Sequence, residues 1–423
     1  MSFRSMFGFI CSLALIMGLF AENEGFAFGR KRPSHCKVPT IQEIKVPLFP
    51  DRTQTKHASY LFDYHPPTSS TFPTVIYILG GPGQSAISSG VGFYSAPDEF
   101  GSVLIDPRGV GCNESRDFQN DSSISSEFVA DDIVEVIRSL QLSNYIIYGI
   151  SYGTAVGTIV ASKVESVGLP KPSALVFDGV LGRAFENEET FMEYSRRWDS
   201  VRKVLPAGIQ NKLDNNGDLP FGFSKEQWGT WLANSLLSQG INALVSTSIY
   251  DVLVAGLSDQ ASAEDQESLR LAVLGASNDL SGSLGVNKRF YEQIGCSEIF
   301  SAFHADPILS DGALDFNISK QCKLTQPFDS ARWAFTSPVY YFSGEMDVAT
   351  PLWQAEYHLL HHSMAPRWWI RIPDGGHGSI PGRLMSCAKI IWTSITKLSD
   401  LQHNALDFCE RDLPISVQHY AAE

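Results

Sequence analysis

The chain contains a serine flanked by glycines at the end of a strand-forming run, and this feature restricts its fold more than any other. Residues 145–154 read YIIYGISYGT, so Gly149, Ser151 and Gly153 form the pattern G-x-S-x-G. In that pattern the serine lies on a sharp turn between a strand and a helix. Glycines are needed because the turn is strained and neighbouring backbone comes close. Since so short a pattern also arises by chance, its meaning depends on partners elsewhere in the chain.

Two partners for the serine follow later strand-like runs. A serine hydroxyl becomes an effective nucleophile only when a base accepts its proton and a third group orients that base. Asp347 lies in the turn after PVYYFSG, and His377 lies in the glycine-rich turn after RWWIRIP. The order Ser, Asp, His is the one expected for hydrolases with this strand–serine–helix turn. The sequence therefore predicts Ser151, Asp347 and His377 as a catalytic set.

An oxyanion hole must accompany such a serine. It uses the backbone N–H of the residue after the nucleophile, here Tyr152, and a second N–H from the loop after an early strand. The run GGPG (80–83) follows the strand-like TVIYIL, and its glycines allow the backbone to approach a reacting carbonyl. We predict that the N–H of Gly81 is the second donor, although GGPG alone is typical of a plain turn.

Strand-like and helix-like runs alternate along most of the chain. TVIYIL, SVLID and ALVFDGV predict strands, and EFVADDIVEVIRSLQL (127–142) predicts an amphipathic helix. This alternation indicates an α/β fold with a mainly parallel central sheet covered by helices. Between residues 183 and 332 the pattern is only helical, which predicts a cap inserted between two sheet strands. The sheet domain is then expected to span residues 28–182 and 333–423.

The N-terminal segment is typical of a secretory signal peptide. It has an early arginine, Arg4, followed by an apolar stretch from Met6 to Phe20 and then small residues. A stretch of about 15 apolar residues is short for a membrane helix, which needs ~20. We predict that residues 1–27 are a signal peptide, that no stable membrane span remains after cleavage, and that the protein is secreted or periplasmic. An uncleaved membrane anchor is the alternative.

The cysteine content agrees with export. Six of the seven cysteines lie beyond the predicted signal peptide, and an even number in an exported chain favours disulfides. Nearest neighbours in sequence indicate the pairs Cys296–Cys322 and Cys387–Cys409, which leaves Cys36–Cys112. The sequence has no C-x-x-C pair, so zinc or thioredoxin-like chemistry is not indicated.

The charge of the chain excludes one class of partner and favours another. A net charge of −14 argues against nucleic acid, because phosphate binding needs concentrated lysine and arginine. Acidity mildly favours cationic ligands. Glu186, Glu188 and Glu189 open the predicted cap and are candidates to bind a substrate ammonium group, and a solvated acidic helix start is the alternative.

Other polar residues have competing interpretations. Asp178, at the end of ALVFDGV, is an alternative acid for the histidine, although Asp347 follows the later strand and is preferred. Asp131 and Asp132 are predicted to lie on a helix surface. Three histidines stand at helical spacing in EYHLLHHSM, namely His358, His361 and His362. Because no carboxylate partner is evident, a solvated helix face is predicted rather than a metal site.

Five stretches together resemble a family of serine peptidases. They read YILGGPGQS, DPRGVGCNES, YGISYGT, FSGEMDVATP and PDGGHGS, and they are similar to α/β-hydrolase peptidases of the prolyl aminopeptidase and tripeptidyl aminopeptidase type. The resemblance covers about residues 36–182 and 335–410. It implies the α/β-hydrolase fold, Ser151 as nucleophile, Asp347 as orienting acid, His377 as base, and no metal or organic cofactor. The chain departs from many relatives at Leu79, where they have histidine.

The resemblance also implies a reaction. It predicts an exported hydrolase that acts on peptides with a free N-terminus and releases residues or short peptides through an acyl-enzyme. An esterase or lipase of the same fold is the first alternative, because fold and catalytic residues do not fix the leaving group. A non-catalytic binding protein on the same scaffold is the second.

Overall fold

The computed structural model describes residues 34–50, 56–89, 96–186, 189–214, 219–238, 249–275, 286–303, 320–321, 323–373, 375–381, 384, 387–396 and 415–423. The strands are β1 (Ile41–Pro47), β2 (His57–His65), β3 (Thr74–Ile78), β4 (Gly101–Ile105), β5 (Tyr145–Ile150), β6 (Ala174–Asp178), β7 (Ala302–Phe303), β8 (Lys320–Gln321), β9 (Val339–Gly344), β10 (Arg367–Ile372) and β11 (Ser416–Tyr420). The helices are α1 (Ala86–Ser89), α2 (Ser126–Leu140), α3 (Tyr152–Ser166), α4 (Glu189–Val204), α5 (Ala207–Asp214), α6 (Lys225–Ser238), α7 (Ile249–Leu257), α8 (Ala263–Gly275), α9 (Lys288–Ile294), α10 (Leu352–His361) and α11 (Ala388–Thr396).

One large sheet organises the described residues. Its strand order is β1-β2-β4-β3-β5-β6-β9-β10-β11, and β7 pairs with β8 separately. All neighbours from β4 to β10 are parallel, whereas the outer pairs β1–β2, β2–β4 and β10–β11 are antiparallel. The predicted mainly parallel sheet is therefore confirmed.

The central strands are buried on both faces. Every residue of β3, β4, β6 and β9 is buried, which explains why these segments are apolar without alternation. Along β3, Ile76 and Ile78 belong to one apolar cluster, and Val75 and Tyr77 belong to another. Successive side chains of a strand point to opposite faces, so the two clusters are the cores above and below the sheet.

The predicted amphipathic helix is confirmed as α2. Its N-cap residue is Ser125, whose side chain accepts a hydrogen bond from the N–H of Phe128. Val129, Ile133 and Ile137 recur at helical spacing and are buried in the core on one side of the sheet. The helix ends at Leu140, and the C-cap residue Gln141 adopts a left-handed conformation.

Residues 183–332, here called the insert, lie between β6 and β9 in the chain. Their described parts contain α4 to α9 and the short β7–β8 pair. The helices α4 to α8 enclose an apolar cluster of their own that includes Trp198, Trp228 and Leu253. Val348, from the loop after β9, also belongs to this cluster, so the insert packs directly beside Asp347.

Two structural features bear on the predicted export. Cys36 and Cys112 form a disulfide that ties the segment before β1 to the loop after β4. Cys296 is disulfide-bonded too, but Cys322 lies outside the described residues, so Cys296–Cys322 stays a prediction. The predicted pair Cys387–Cys409 is wrong, because Cys387 is a buried thiol that packs into an apolar core rather than half of a disulfide. The predicted signal peptide also lies outside the described residues. Within the part of the chain that is described, no helix has the length and apolar character to span a bilayer.

A buried ion pair fastens the loop after β4 to α2. Arg108 donates two hydrogen bonds to Asp132, and its other N–H groups donate to the carbonyls of Pro47, Leu48 and Ser123. Both charged side chains are fully buried. Burial raises the pKa of Asp132 to about 6, although the charge and hydrogen bonds of Arg108 oppose this rise. The predicted surface position of Asp132 is therefore wrong, because a guanidinium from a distant loop covers it.

Removing this carboxylate should strongly destabilise the fold. Asp132→Ala leaves the Arg108 guanidinium buried without its counter-charge, and such a loss typically costs about 3–5 kcal/mol. Asp131→Ala is the matched control, because Asp131 is partly exposed and pairs with Lys163 at the surface; its expected cost is under about 1 kcal/mol. Urea unfolding of both variants measures the difference. Equal losses would contradict the structural importance of the buried pair.

Candidate active site

Ser151 is the single residue between β5 and α3, on the turn that the G-x-S-x-G pattern predicts. Its φ of 56° and ψ of −126° are unusual for any residue but glycine, so the backbone is strained here. The N–H of Ser151 donates to the carbonyl of Asp178 across an N···O distance of 2.9 Å. A Cβ atom on Gly153 would lie 2.0 Å from the carbonyl oxygen of Ile78, which explains the second glycine.

Asp347 and His377 are brought together by the loops after β9 and β10. Nδ1 of His377 lies 2.9 Å from Oδ2 of Asp347. The same oxygen accepts a 2.6 Å hydrogen bond from the Thr350 hydroxyl, and Oδ1 accepts from the N–H groups of Ala349 and Thr350. This set of donors fixes the carboxylate, so it can hold the imidazole in one orientation.

The surroundings of His377 favour its protonated form. Burial lowers the pKa of this imidazole, but the charge and hydrogen bond of Asp347, together with the charge of Asp178, raise it above the usual histidine value. The opposing carboxylates therefore outweigh the cost of burying a positive charge. Such an imidazole can accept a proton and hold it next to Asp347.

The backbone after β6 brings the histidine and the serine to one place. A Cβ atom on Gly179 would lie 3.1 Å from Nδ1 and from Cε1 of His377. Gly179 directly follows Asp178, whose carbonyl accepts the N–H of Ser151. The His377 ring and the Ser151 backbone thus border the same two-residue segment, although the two residues lie more than 200 positions apart in the sequence.

Asp178 has a structural task that the sequence did not reveal. Its carboxylate is fully buried and accepts hydrogen bonds from the N–H groups of Ser379 and Ile380, at 2.7 and 2.8 Å. The Tyr148 hydroxyl donates to it as well, at 3.3 Å. Burial raises the pKa of Asp178 to about 6, against these hydrogen bonds and the charge of His377. Asp347, not Asp178, is the carboxylate that hydrogen-bonds to His377 in this structure.

The loop of residues 80–85, here called the oxyanion loop, lies against Ser151. A Cβ atom on Gly80 would lie 2.8 Å from Cβ and 3.3 Å from Oγ of Ser151. Gly81 has a φ of 109°, a conformation that glycine adopts without strain. Tyr152 is the first residue of α3, so its N–H has no carbonyl partner within that helix. Both predicted donors therefore belong to segments that border the serine.

A buried aspartate after β4 holds the far end of this loop. Oδ1 of Asp106 accepts from the Ser85 hydroxyl and from the N–H of Ile87. Oδ2 accepts from the N–H of Cys112, whose disulfide joins it to Cys36. Cys112, one half of the Cys36–Cys112 disulfide, therefore hydrogen-bonds to the same aspartate that holds the oxyanion loop.

The insert also contacts the oxyanion loop directly. The N–H of Asn287 donates to the carbonyl of Gly83 at 2.9 Å, and Val286 forms a β-bridge with Gln84. A Cβ atom on Gly81 would lie 2.8 Å from the Val286 side chain. The segment before α9 therefore forms one wall around the predicted oxyanion donor.

The predicted ammonium-binding glutamates have different surroundings. Glu189 accepts two hydrogen bonds from the Arg183 guanidinium and one from the N–H of Glu186. The Glu186 side chain is exposed, and Glu188 lies outside the described residues. A substrate ammonium group at Glu189 would have to compete with Arg183, whereas Glu186 is open to solvent.

The three histidines in and after α10 do not share a solvated face, contrary to the prediction. The side chains of His358 and His362 are buried, and only His361 is exposed. The ring nitrogens of His358 contact the hydroxyl groups of Thr158 and Tyr341, each at 2.8 Å. Burial and the neighbouring histidines hold the pKa of His358 well below its usual value, so this ring is a neutral core residue.

Comparison with known proteins agrees with the architecture. A family model described as the alpha/beta hydrolase fold matches residues 73–217. The chain has the α/β-hydrolase fold. This span of the α/β-hydrolase fold includes the oxyanion loop and the serine turn, and it supports the coarser conclusion that the protein is a hydrolase. No curated protein matches the sequence.

Several solved structures are similar at low identity. VinJ is 11% identical with a TM-score of 0.46, covering 84% of this chain and 99% of that one. A proline iminopeptidase from Mycobacterium smegmatis is 13% identical with a TM-score of 0.45, covering 84% and 97%. An esterase from Thermogutta terrifontis is 16% identical with a TM-score of 0.43, covering 84% and 99%. These neighbours include both peptide-cleaving and ester-cleaving enzymes.

The His377 imidazole should lose basicity when Asp347 is neutralised. In Asp347→Asn the charge and the charged hydrogen bond of Asp347, the two larger causes that raise the pKa of His377, are gone, while the charge of Asp178 remains and burial still lowers the pKa. We expect the pKa to fall, as followed by NMR titration of protein labelled with ¹⁵N-histidine. Glu345→Gln is the control, because Glu345 pairs with Arg371 on the exposed side of the same strand end. A His377 pKa that is unchanged in Asp347→Asn would contradict this electrostatic account.

Proposed function

We propose that the protein is an exported serine hydrolase with Ser151 as nucleophile, His377 as general base and Asp347 as the acid that orients it. The observation that carries this proposal is the 2.9 Å contact between Nδ1 of His377 and Asp347. It commits Nδ1 to the carboxylate and leaves Nε2 to accept a proton from a serine hydroxyl. The strained backbone of Ser151 supports the same role, because strain concentrates at functional sites.

In the proposed reaction, Oγ of Ser151 attacks the scissile carbonyl while Nε2 of His377 accepts the hydroxyl proton. The N–H groups of Tyr152 and Gly81 stabilise the negative charge that develops on the carbonyl oxygen. His377 then gives its proton to the leaving group, which departs and leaves an acyl group on Ser151. A water molecule then attacks the acyl carbonyl while His377 accepts its proton; the acyl–oxygen bond breaks, the acid leaves, and His377 returns the proton to Oγ of Ser151. Apart from this water molecule, each step uses the side chains and backbone of this chain.

We propose further that the substrates are peptides with a free N-terminus. This rests on the five stretches that resemble prolyl and tripeptidyl aminopeptidases and on the net charge of −14. An α-amino group has a reference pKa of ~7.7–8.0 and is largely cationic at pH 7. The exposed Glu186, at the start of the insert, is a carboxylate to which such a cation could bind, with Glu188 and Glu189 beside it in sequence.

Export is the proposed setting for this activity. The Cys36–Cys112 disulfide is compatible with an oxidising, extracytoplasmic location, because disulfides persist there and are rare in the cytosol. The apolar stretch from Met6 to Phe20 supports a signal peptide over residues 1–27.

Acetylating the N-terminus of the substrate should sharply reduce turnover. A hydrogen bond to a charged group contributes about 1.5–3 kcal/mol, which corresponds to roughly 10- to 150-fold in rate. The measurement is kcat/KM at pH 7 for one peptide amide with a free and with an acetylated N-terminus. In Glu186→Gln the ratio of kcat/KM between the free and the acetylated peptide should be smaller than in the wild type. Glu193→Gln is the control, since Glu193 already pairs with Arg196.

Equal values for the two peptides would overturn the aminopeptidase proposal. A p-nitrophenyl ester measured alongside separates the remaining possibilities. Hydrolysis of the ester with no cleavage of either peptide would favour an esterase using the same catalytic residues.

A further inference from the structure

The insert places a buried glutamate next to the catalytic domain. Glu298 lies in the turn Gly295–Ile299 that follows α9, and its side chain is only 5% exposed. Its two carboxylate oxygens lie 3.0 and 3.3 Å from the backbone nitrogen of Ser126. Ser126 is the first residue of α2, where N–H groups lack partners inside the helix and the helix dipole favours a negative charge. The carboxylate therefore joins the insert to the start of α2.

This contact is additional to the side-chain cap that α2 already has. Ser125 accepts the hydrogen bond from Phe128 that a side-chain cap provides. Among the residues that the structure describes, the only hydrogen bonds to the Glu298 side chain come from Ser126, and no lysine or arginine pairs with it. Burying an ionisable group with so little compensation is costly, and such groups concentrate at functional sites.

Ser126 connects Glu298 to Tyr152, the residue that follows the proposed nucleophile. Its hydroxyl lies 2.9 Å from the hydroxyl of Tyr152, and both side chains are buried. The Tyr152 ring meets Phe290 of α9 edge to face, with ring centroids 6.3 Å apart. The tyrosine is thus held at its tip by Ser126 and at its ring by the insert, while its backbone N–H stands beside Ser151.

The backbone of the same turn is tied to both ends of the insert. The carbonyl of Glu298 accepts from the N–H of Phe328, and the carbonyl of Ile299 accepts from the N–H of Phe185. A shift of the insert would therefore move the Glu298 side chain, and with it the Ser126–Tyr152 contact.

We propose that Glu298 is a positioning residue for the active site: through Ser126 it fixes the Tyr152 side chain and so aims the Tyr152 N–H at the developing oxyanion. The proposal rests on the functions proposed above for Ser151 and Tyr152. Burial raises the pKa of Glu298 to about 7, with the Ser126 hydrogen bonds opposing the rise and the charge of Glu127 adding to it. Near neutral pH the Glu298 carboxyl group is therefore present in both its charged and its neutral form.

The test compares Glu298→Gln with Glu292→Gln, a more exposed glutamate on the neighbouring helix α9. Glutamine keeps the size and one acceptor oxygen but turns an amide N–H group toward Ser126. We expect kcat to fall roughly 10-fold with KM within about twofold, which is less than the ~10²–10³ that losing an oxyanion donor costs. The rate of labelling by a fluorophosphonate probe, which reports the chemistry without a peptide, should fall by the same factor. Glu292→Gln should match the wild type in both readouts.

Tyr152→Phe provides a second route to the same answer if Glu298→Gln folds poorly. It removes only the phenol hydroxyl and keeps the backbone N–H. The double variant should lose no more activity than either single one, because both substitutions break one chain of contacts. Thermal melting of each variant verifies that the fold is retained.

Three results would overturn the proposal. A loss confined to KM for peptides with a free N-terminus would make Glu298 a substrate ligand. Additive losses in the double variant would show that Glu298 does not act through Tyr152. Wild-type labelling rates in both single variants would show that the chain of contacts does not affect the oxyanion site. If instead Ser151→Ala retained full activity, the proposed catalytic set itself would fail, whatever the Glu298 variants do.

Discussion

The candidate active site depends on Asp178, which ends the central strand β6 and joins two distant parts of the chain. Its main-chain carbonyl holds the strained Ser151, and its buried carboxylate holds the loop that carries His377 through Ser379 and Ile380. Because both contacts start from one residue on a buried strand, the serine and the histidine share a rigid reference point. The Asp178 carboxylate thus organises the site through backbone N–H groups, whereas the His377 imidazole hydrogen-bonds to Asp347.

The insert also contacts the segments that form this site. Val286 and Asn287 contact the oxyanion loop, Phe290 contacts Tyr152, and Val348 beside Asp347 packs into the insert's own core. The proposed catalytic residues all come from the sheet domain, yet the insert contacts the loop that carries the proposed oxyanion donor. Changes in the insert should therefore affect reaction rate as well as substrate choice.

The sequence predicted the parts of the structure that leave a local pattern. Apolar runs predicted the central strands, and the turn residues after two of these runs pointed to Asp347 and His377. The structure places the two side chains in contact, with 2.9 Å between Nδ1 of His377 and Oδ2 of Asp347. Burial of Asp132 and His358 was missed, because Arg108 and Tyr341 reach them from other elements. The anchoring by Asp178 spans 201 residues, and the Glu298 contact spans 172, so neither has a local signature.

The central claim is that Ser151 is the activated nucleophile, and covalent labelling tests it most directly. The full-length protein is incubated with a fluorophosphonate probe, and the modified residue is located by mass spectrometry of peptides. We expect one adduct, on Ser151, because its hydroxyl stands beside the oxyanion loop on the strained turn. Ser151→Ala should not be labelled, whereas Ser88→Ala, which removes an exposed hydroxyl near the same loop, should be labelled as the wild type is. An adduct on another residue, or labelling of Ser151→Ala at the wild-type rate, would contradict the account.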